Sequence, residues 1–160
     1  MWNYVAEYKG IRCNLVKQNN NTILTTNDAS ALTLGFEKKV MDDGYVYYRL
    51  PITPDLLENA YKSECYCEYN GDVLECDYSK ERRTFSVHIG ENEELCRRYG
   101  IGDVYDRYIG SRGYECFNDL WIVVPEDEVL DFWEQRSPIK GFPFHGPEKV
   151  YVKKDGVWLR

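Results

Sequence analysis

Residues 53–61, Thr53-Pro54-Asp55-Leu56-Leu57-Glu58-Asn59-Ala60-Tyr61, decide how the chain is read. Thr53 offers a hydroxyl at a helix N-cap, Pro54 suits the first helical position, and Asp55 complements the dipole of a first turn. The stretch therefore predicts a helix running through Leu57 to Tyr61. A second stretch has the same character. Pro125-Glu126-Asp127-Glu128-Val129 opens an expected helix through Trp133 to Arg136, and Tyr61 then falls on Trp133 when the two are laid together.

Working outward, strands alternate with these helices. Tyr4 to Val16 has β character broken at Lys9-Gly10, and Gln18-Asn19-Asn20-Asn21 is a turn before the strand Thr22 to Thr25. Asn27 to Ser30 caps a short helix over Ala31 to Leu34 that Gly35 stops. Asp42-Asp43-Gly44 turns into the strand Tyr45 to Leu50. Cys65 to Tyr69 and Val73 to Tyr78 form a hairpin around Asn70-Gly71. Thr84 to Ile89 alternates, with Phe85, Val87 and Ile89 on one face. Glu91 to Tyr99 reads as a helix ended by Gly100, and Asp119 to Val124 as a strand.

The two series correspond. Glu7-Tyr8-Lys9-Gly10 matches Glu68-Tyr69-Asn70-Gly71, Thr22-Ile23-Leu24 matches Thr84-Phe85-Ser86, and Leu34-Gly35-Phe36 matches Tyr99-Gly100-Ile101. The expected fold is α+β: mostly antiparallel sheet with short helices, in a two-fold repeat of ββ-β-α-β-α. The expected parts are 1–64, 65–137 and a tail, 138–160, in which a Pro/Gly loop at Gly141 to Pro147 precedes a hairpin turning at Asp155-Gly156. They are expected to form one compact unit, which 160 residues are enough to stabilise without staples.

Net charge is −7, against a nucleic-acid partner, which needs a basic footprint. The charge is uneven: residues 1–64 carry −1, residues 65–137 carry −9 and residues 138–160 carry +3. The acids of the middle part include Glu91, Glu93, Glu94, Asp103, Asp106, Glu115 and Asp119, with Tyr99, Tyr105, Tyr108 and Tyr114 among them. Acids steer a basic partner from a distance and rigid aromatic rings supply contact energy, so Glu91, Glu93, Glu94, Asp103, Tyr105, Asp106, Tyr108, Tyr114, Glu115 and Asp119 are the expected partner-binding residues. The plainer alternative is a solvated acidic face over core tyrosines.

Catalytic patterns are not legible. There is no G-x-S-x-G and no H-E-x-x-H, and Gly100-Ile101-Gly102 lacks the third glycine of a dinucleotide loop. Gly110-Ser111-Arg112-Gly113 is too short for a phosphate loop. His88 and His145 are far apart in sequence, and a pair of them working on RNA would sit on a chain that repels RNA. Cys65, Cys67 and Cys76, with His88, are the candidate metal ligands, but one C-x-C is weaker than the usual zinc pairs, and buried thiols in a sheet core are the expected state. No catalytic residue, metal or cofactor is expected. Asn20-Asn21-Thr22 fits a glycosylation sequon, and Glu126-Asp127-Glu128 reads as dipole compensation. The first residues show no basic-then-apolar leader and no apolar run of spanning length, so a cytoplasmic location with reduced cysteines and no membrane partner is expected.

Asp42-Asp43-Gly44-Tyr45, Leu50-Pro51-Ile52-Thr53-Pro54 and the acidic stretch from Glu91 to Glu128 give the chain a recognisable type. It resembles the immunity proteins of bacterial polymorphic-toxin systems: small, acidic, tyrosine-rich and α+β. The resemblance is one of type and carries over no functional residue. It implies stoichiometric binding to a cognate toxin domain, often a basic nuclease, whose active site or substrate groove is blocked. Reversing Glu93 and Glu94 to Lys would then weaken association in a salt-dependent way. A small-molecule or metal-binding module and a hydrolase of unrecognised type are the alternatives.

Overall fold

The computed structural model describes residues 2–90, 93–99 and 121–160. Among these residues 57% are strand and 13% helical, in twelve antiparallel strands. This corrects the α+β expectation to a mostly β protein. The strands are β1 (Trp2–Tyr8), β2 (Ile11–Gln18), β3 (Asn21–Thr26), β4 (Glu37–Val40), β5 (Val46–Ile52), β6 (Asn59–Tyr69), β7 (Asp72–Ser79), β8 (Thr84–His88), β9 (Trp121–Pro125), β10 (Asp131–Pro138), β11 (Lys149–Lys154) and β12 (Val157–Trp158). The α-helix among the described residues is α1 (Glu93–Arg98).

Both long-helix expectations fail in the same way. Pro54–Leu56 and Glu126–Glu128 are single 3-10 turns, and Thr53 makes no side-chain cap bond. Leu57 and Val129 are already extended, and strands begin at Asn59 and Asp131. The reason lies in burial. Leu57, Ala60 and Tyr61, like Val129, Phe132 and Trp133, have helical spacing, yet neighbours such as Ala60 and Tyr61 are buried on opposite faces of a strand. A short apolar run fits both periods, and pairing along a whole neighbouring strand outweighs one turn of cap propensity.

The chain divides into two compact units: Trp2–Glu64 with Glu134–Val150, and Cys65–Trp133 with Tyr151–Arg160. The first carries the ladder β4-β5-β3-β2-β1 and the start of β6, with Ala6 paired to both Cys13 and Ala60. Its core holds Ala6, Cys13, Leu15, Leu24, Phe36, Tyr48, Leu57 and Ala60. The short helix expected after Asn27 is a 3-10 helix, Ala29–Leu34, capped by the Asp28 carboxylate and closed by Gly35 at φ 90°.

The second unit carries the end of β6 paired to β7, β7 to β8 and β8 to β9. Asn70-Gly71 makes the β6–β7 turn with positive φ at both residues, as a tight hairpin demands. The alternation of β8 is as expected: Phe85, Val87 and Ile89 are buried, together with Cys67, Leu74, Cys76, Val124, Val129 and Phe132, and Cys96 of α1 closes the cluster. The Asp155-Gly156 turn joins β11 to β12. No helix among the described residues is long and apolar enough to cross a membrane.

Candidate functional site on the outward face of β6 to β9

If one face of the second unit's ladder is core, the alternate residues form its other face. Register pairs Tyr66 with Glu75, Glu68 with Val73, Asp77 with Ser86, His88 with Trp121 and Ser86 with Val123. The face from β6 to β9 thus holds Tyr66, Glu68, Val73, Glu75, Asp77, Thr84, Ser86, His88, Trp121, Val123 and Pro125. Three are acids and none is Lys or Arg.

A transverse row crosses it, one residue per strand. Trp133 of β10 stacks on Tyr66 at 6.4 Å between ring centroids, and Trp133 also meets Tyr151 at 5.9 Å. Glu75 Oε2 lies 3.6 Å from His88 Nδ1, and the His88 ring lies 4.6 Å from that of Trp121. Val73 and Val123 are 60% and 67% exposed, which is costly for β-branched apolar side chains unless something covers them.

Sequence reasoning missed this set. Its signal was the alternation Tyr66-Cys67-Glu68 and Glu75-Cys76-Asp77, in which buried thiols interleave with acids and a ring. The expected partner-binding residues stand differently. Glu91, Asp103, Tyr105, Asp106, Tyr108, Tyr114, Glu115 and Asp119, and the side chain of Glu93, lie outside the described residues. Glu94 is exposed, and its charge is matched one turn on by Arg98 at 2.9 Å. Arg98 also holds Asp72, which accepts a 2.7 Å bond from the Tyr99 hydroxyl. Arg98 first and then Tyr99 hold the Asp72 carboxyl below its ordinary range. Tyr99 stacks on Tyr69 at 5.4 Å.

Cys67 and Cys76 are fully buried free thiols, and Cys65 is partly buried. The hydrogen bond with Cys67, then burial, push the Cys76 thiol far above its ordinary range, away from the thiolate that binds metal. Among the described residues no three His, Cys, Asp or Glu side chains are grouped to hold a metal ion. His145 lies in the first unit, where its backbone N–H donates to Asn59 Oδ1 at 2.9 Å.

The first unit has its own charged cluster. Glu134 accepts from Arg12, Arg136 and the Ser63 hydroxyl, and Arg136 lies 3.8 Å from Glu7. The guanidinium groups of Arg12 and Arg136 lie 5.8 Å and 4.4 Å from the centre of the Tyr61 ring. Burial first, against the opposing pull of both arginines, pushes the Tyr61 hydroxyl up to about 12. With its donors and acceptors matched and the ring dry, the cluster is built as structural support.

A family described as Uncharacterised conserved protein UCP033725 matches residues 3–111. The chain belongs to this family. The matched span runs from β1 through α1 and so includes β6, β7 and β8 of the acidic face; β9 and Trp133 lie beyond it. No curated protein and no solved structure matches the chain.

Proposed function

We propose that this member of the family is a non-catalytic binding module whose partner is a protein with a cationic surface. The observation that carries the reading is the second unit's face of β6 to β9: Glu68, Glu75 and Asp77 interleaved with Tyr66, Trp121, Val73 and Val123, with no Lys or Arg among its described residues. Acids there would raise the rate of encounter with a basic partner, while rings and exposed valines would supply the desolvated contact. This sheet face is proposed beside the acidic stretch Glu91 to Asp119 expected from the sequence, most of which lies outside the described residues. The role expected of an immunity protein, stoichiometric neutralisation of a basic toxin domain, is the specific form of this proposal.

Co-expression with the product of the adjacent upstream gene tests it. Rescue of a toxic neighbour and a 1:1 complex are expected. Glu68→Lys with Asp77→Lys should then slow association by roughly tenfold at low salt and flatten its salt dependence. A harmless neighbour that does not co-purify, or a double variant with unchanged kinetics, would sink the reading.

A further inference from the structure

The second unit also has a hollow of opposite sign. It is an open concavity of about 600 Å³ lined by Tyr78, Lys80, Arg83, Glu126, Val152, Trp158 and Arg160. Three of these side chains are cations in a chain whose net charge is −7. A fourth cation, Lys153, touches two of the lining residues: its Nζ donates to the Glu126 carbonyl oxygen and lies 5.1 Å from the centre of the Trp158 ring.

The single acid, Glu126, is ion-paired with Arg83, so that pair adds little net charge and Lys80 and Arg160 carry the positive excess of the hollow. Glu126 Oε2 accepts from the Tyr78 hydroxyl at 2.6 Å, and Oε1 from Arg83 Nε at 2.6 Å. The Tyr78 hydroxyl first, and Arg83 with it, hold the Glu126 carboxyl below its ordinary range, so it remains an ionised brace. Arg83 takes a left-handed backbone at φ 54°, held there by a 3.1 Å bond from the Glu126 N–H to its carbonyl. Such a conformation is unfavourable in a residue with a Cβ, and it persists here with the side chain fixed against Glu126.

The wall is aromatic. Trp158 lies parallel to Phe85, 5° between planes, and 4.7 Å from Tyr78, and it remains 37% exposed. A ring propped from behind and partly open is a stacking platform, and the volume falls within the range of small-ligand sites.

We propose that this hollow binds a mononucleotide-type ligand, a flat heteroaromatic ring stacked on Trp158 and joined to a phosphate held by Lys80 and Arg160. The cations account for the phosphate, since Arg presents paired donors to it. The Trp accounts for the ring. A nucleic-acid strand is the poorer fit, because each added phosphate would meet the repulsion of a chain whose net charge is −7. None of the lining residues is on the acidic face of β6 to β9, so the two proposals stand or fall separately.

The test is calorimetric titration of the whole chain at low salt with AMP, adenosine and inorganic phosphate. AMP should bind roughly tenfold more tightly than either fragment, and Lys80→Glu with Arg160→Glu, both at exposed positions, should weaken it by roughly tenfold or more. In a nitrogen–proton correlation spectrum, AMP should shift the Trp158 indole signal, assigned with Trp158→Phe. AMP binding no tighter than its fragments, binding untouched by the double variant, or binding that leaves the Trp158 signal in place overturns the assignment.

Discussion

Glu134 is 4% exposed, and burial alone would drive its carboxyl toward the neutral form. That pressure is outweighed by Arg12, Arg136 and the Ser63 hydroxyl, which together bring it down to about 2. A carboxyl with a folded value below its unfolded value stabilises the protein fully above the unfolded value, near 4.5, and the contribution erodes as pH falls toward about 2. Glu134→Gln keeps the shape but strands the buried guanidinium of Arg136 and loosens the half-exposed one of Arg12. It should cost about 3–5 kcal/mol at neutral pH, measured by urea unfolding, and the wild-type loss of stability between those two pH values should flatten in the variant. An unchanged acid profile would show that the stabilising charge lies elsewhere. The pairing of Arg12 with Glu134 spans 122 residues, which no local pattern announces.

At the scale of elements, the ends of the two 3-10 turns behave alike. Asn59 begins β6 and Asp131 begins β10, and each side chain captures backbone from a later segment. Asn59 Oδ1 accepts from His145 N and its Nδ2 donates to the Gly146 carbonyl at 3.0 Å, all partly buried. Asp131 Oδ1 accepts from Asp155 N at 2.8 Å in an exposed setting. Asn59→Ala should therefore cost about 2 kcal/mol and speed hydrogen exchange at 145–146, whereas Asp131→Ala should cost about 0.5 to 1 kcal/mol. Equal costs would mean that burial does not set the difference. Turn chemistry was legible here: Lys9-Gly10, Asn70-Gly71 and Asp155-Gly156 all turn where expected, since positive φ is a property of two or three residues. The helices expected from Thr53 and Pro125 were not, because a cap and an acidic first turn describe only the first turn.

For the whole molecule, the strand content predicts a far-UV circular dichroism spectrum with a strand-type minimum and no pair of helical minima. A strong helical pair would contradict extended backbone over 59–69 and 131–138. Within the second unit, charge sorts itself into an acidic sheet face and a basic hollow, although the residues of both are interleaved along the chain. Binding of a cationic partner should thus respond to Glu68 and Asp77, and binding of AMP to Lys80 and Arg160, with neither pair of substitutions affecting the other ligand by more than about twofold. Cross-effects in competition binding would merge the two sites into one.

The amino-acid sequence by itself determined the features that act within a few residues: the tight turns, the alternation of Phe85, Val87 and Ile89, the Asp28 cap, and the uneven charge. Tertiary structure decided whether Leu57 to Tyr61 and Val129 to Arg136 would coil or extend. It also decided which face of β7 would be acidic surface and which ends would bring Lys80, Glu126 and Trp158 to one hollow. Apolar spacing over so short a run satisfies either period, and the choice falls to the neighbouring strand that pairs its backbone and covers its two sides.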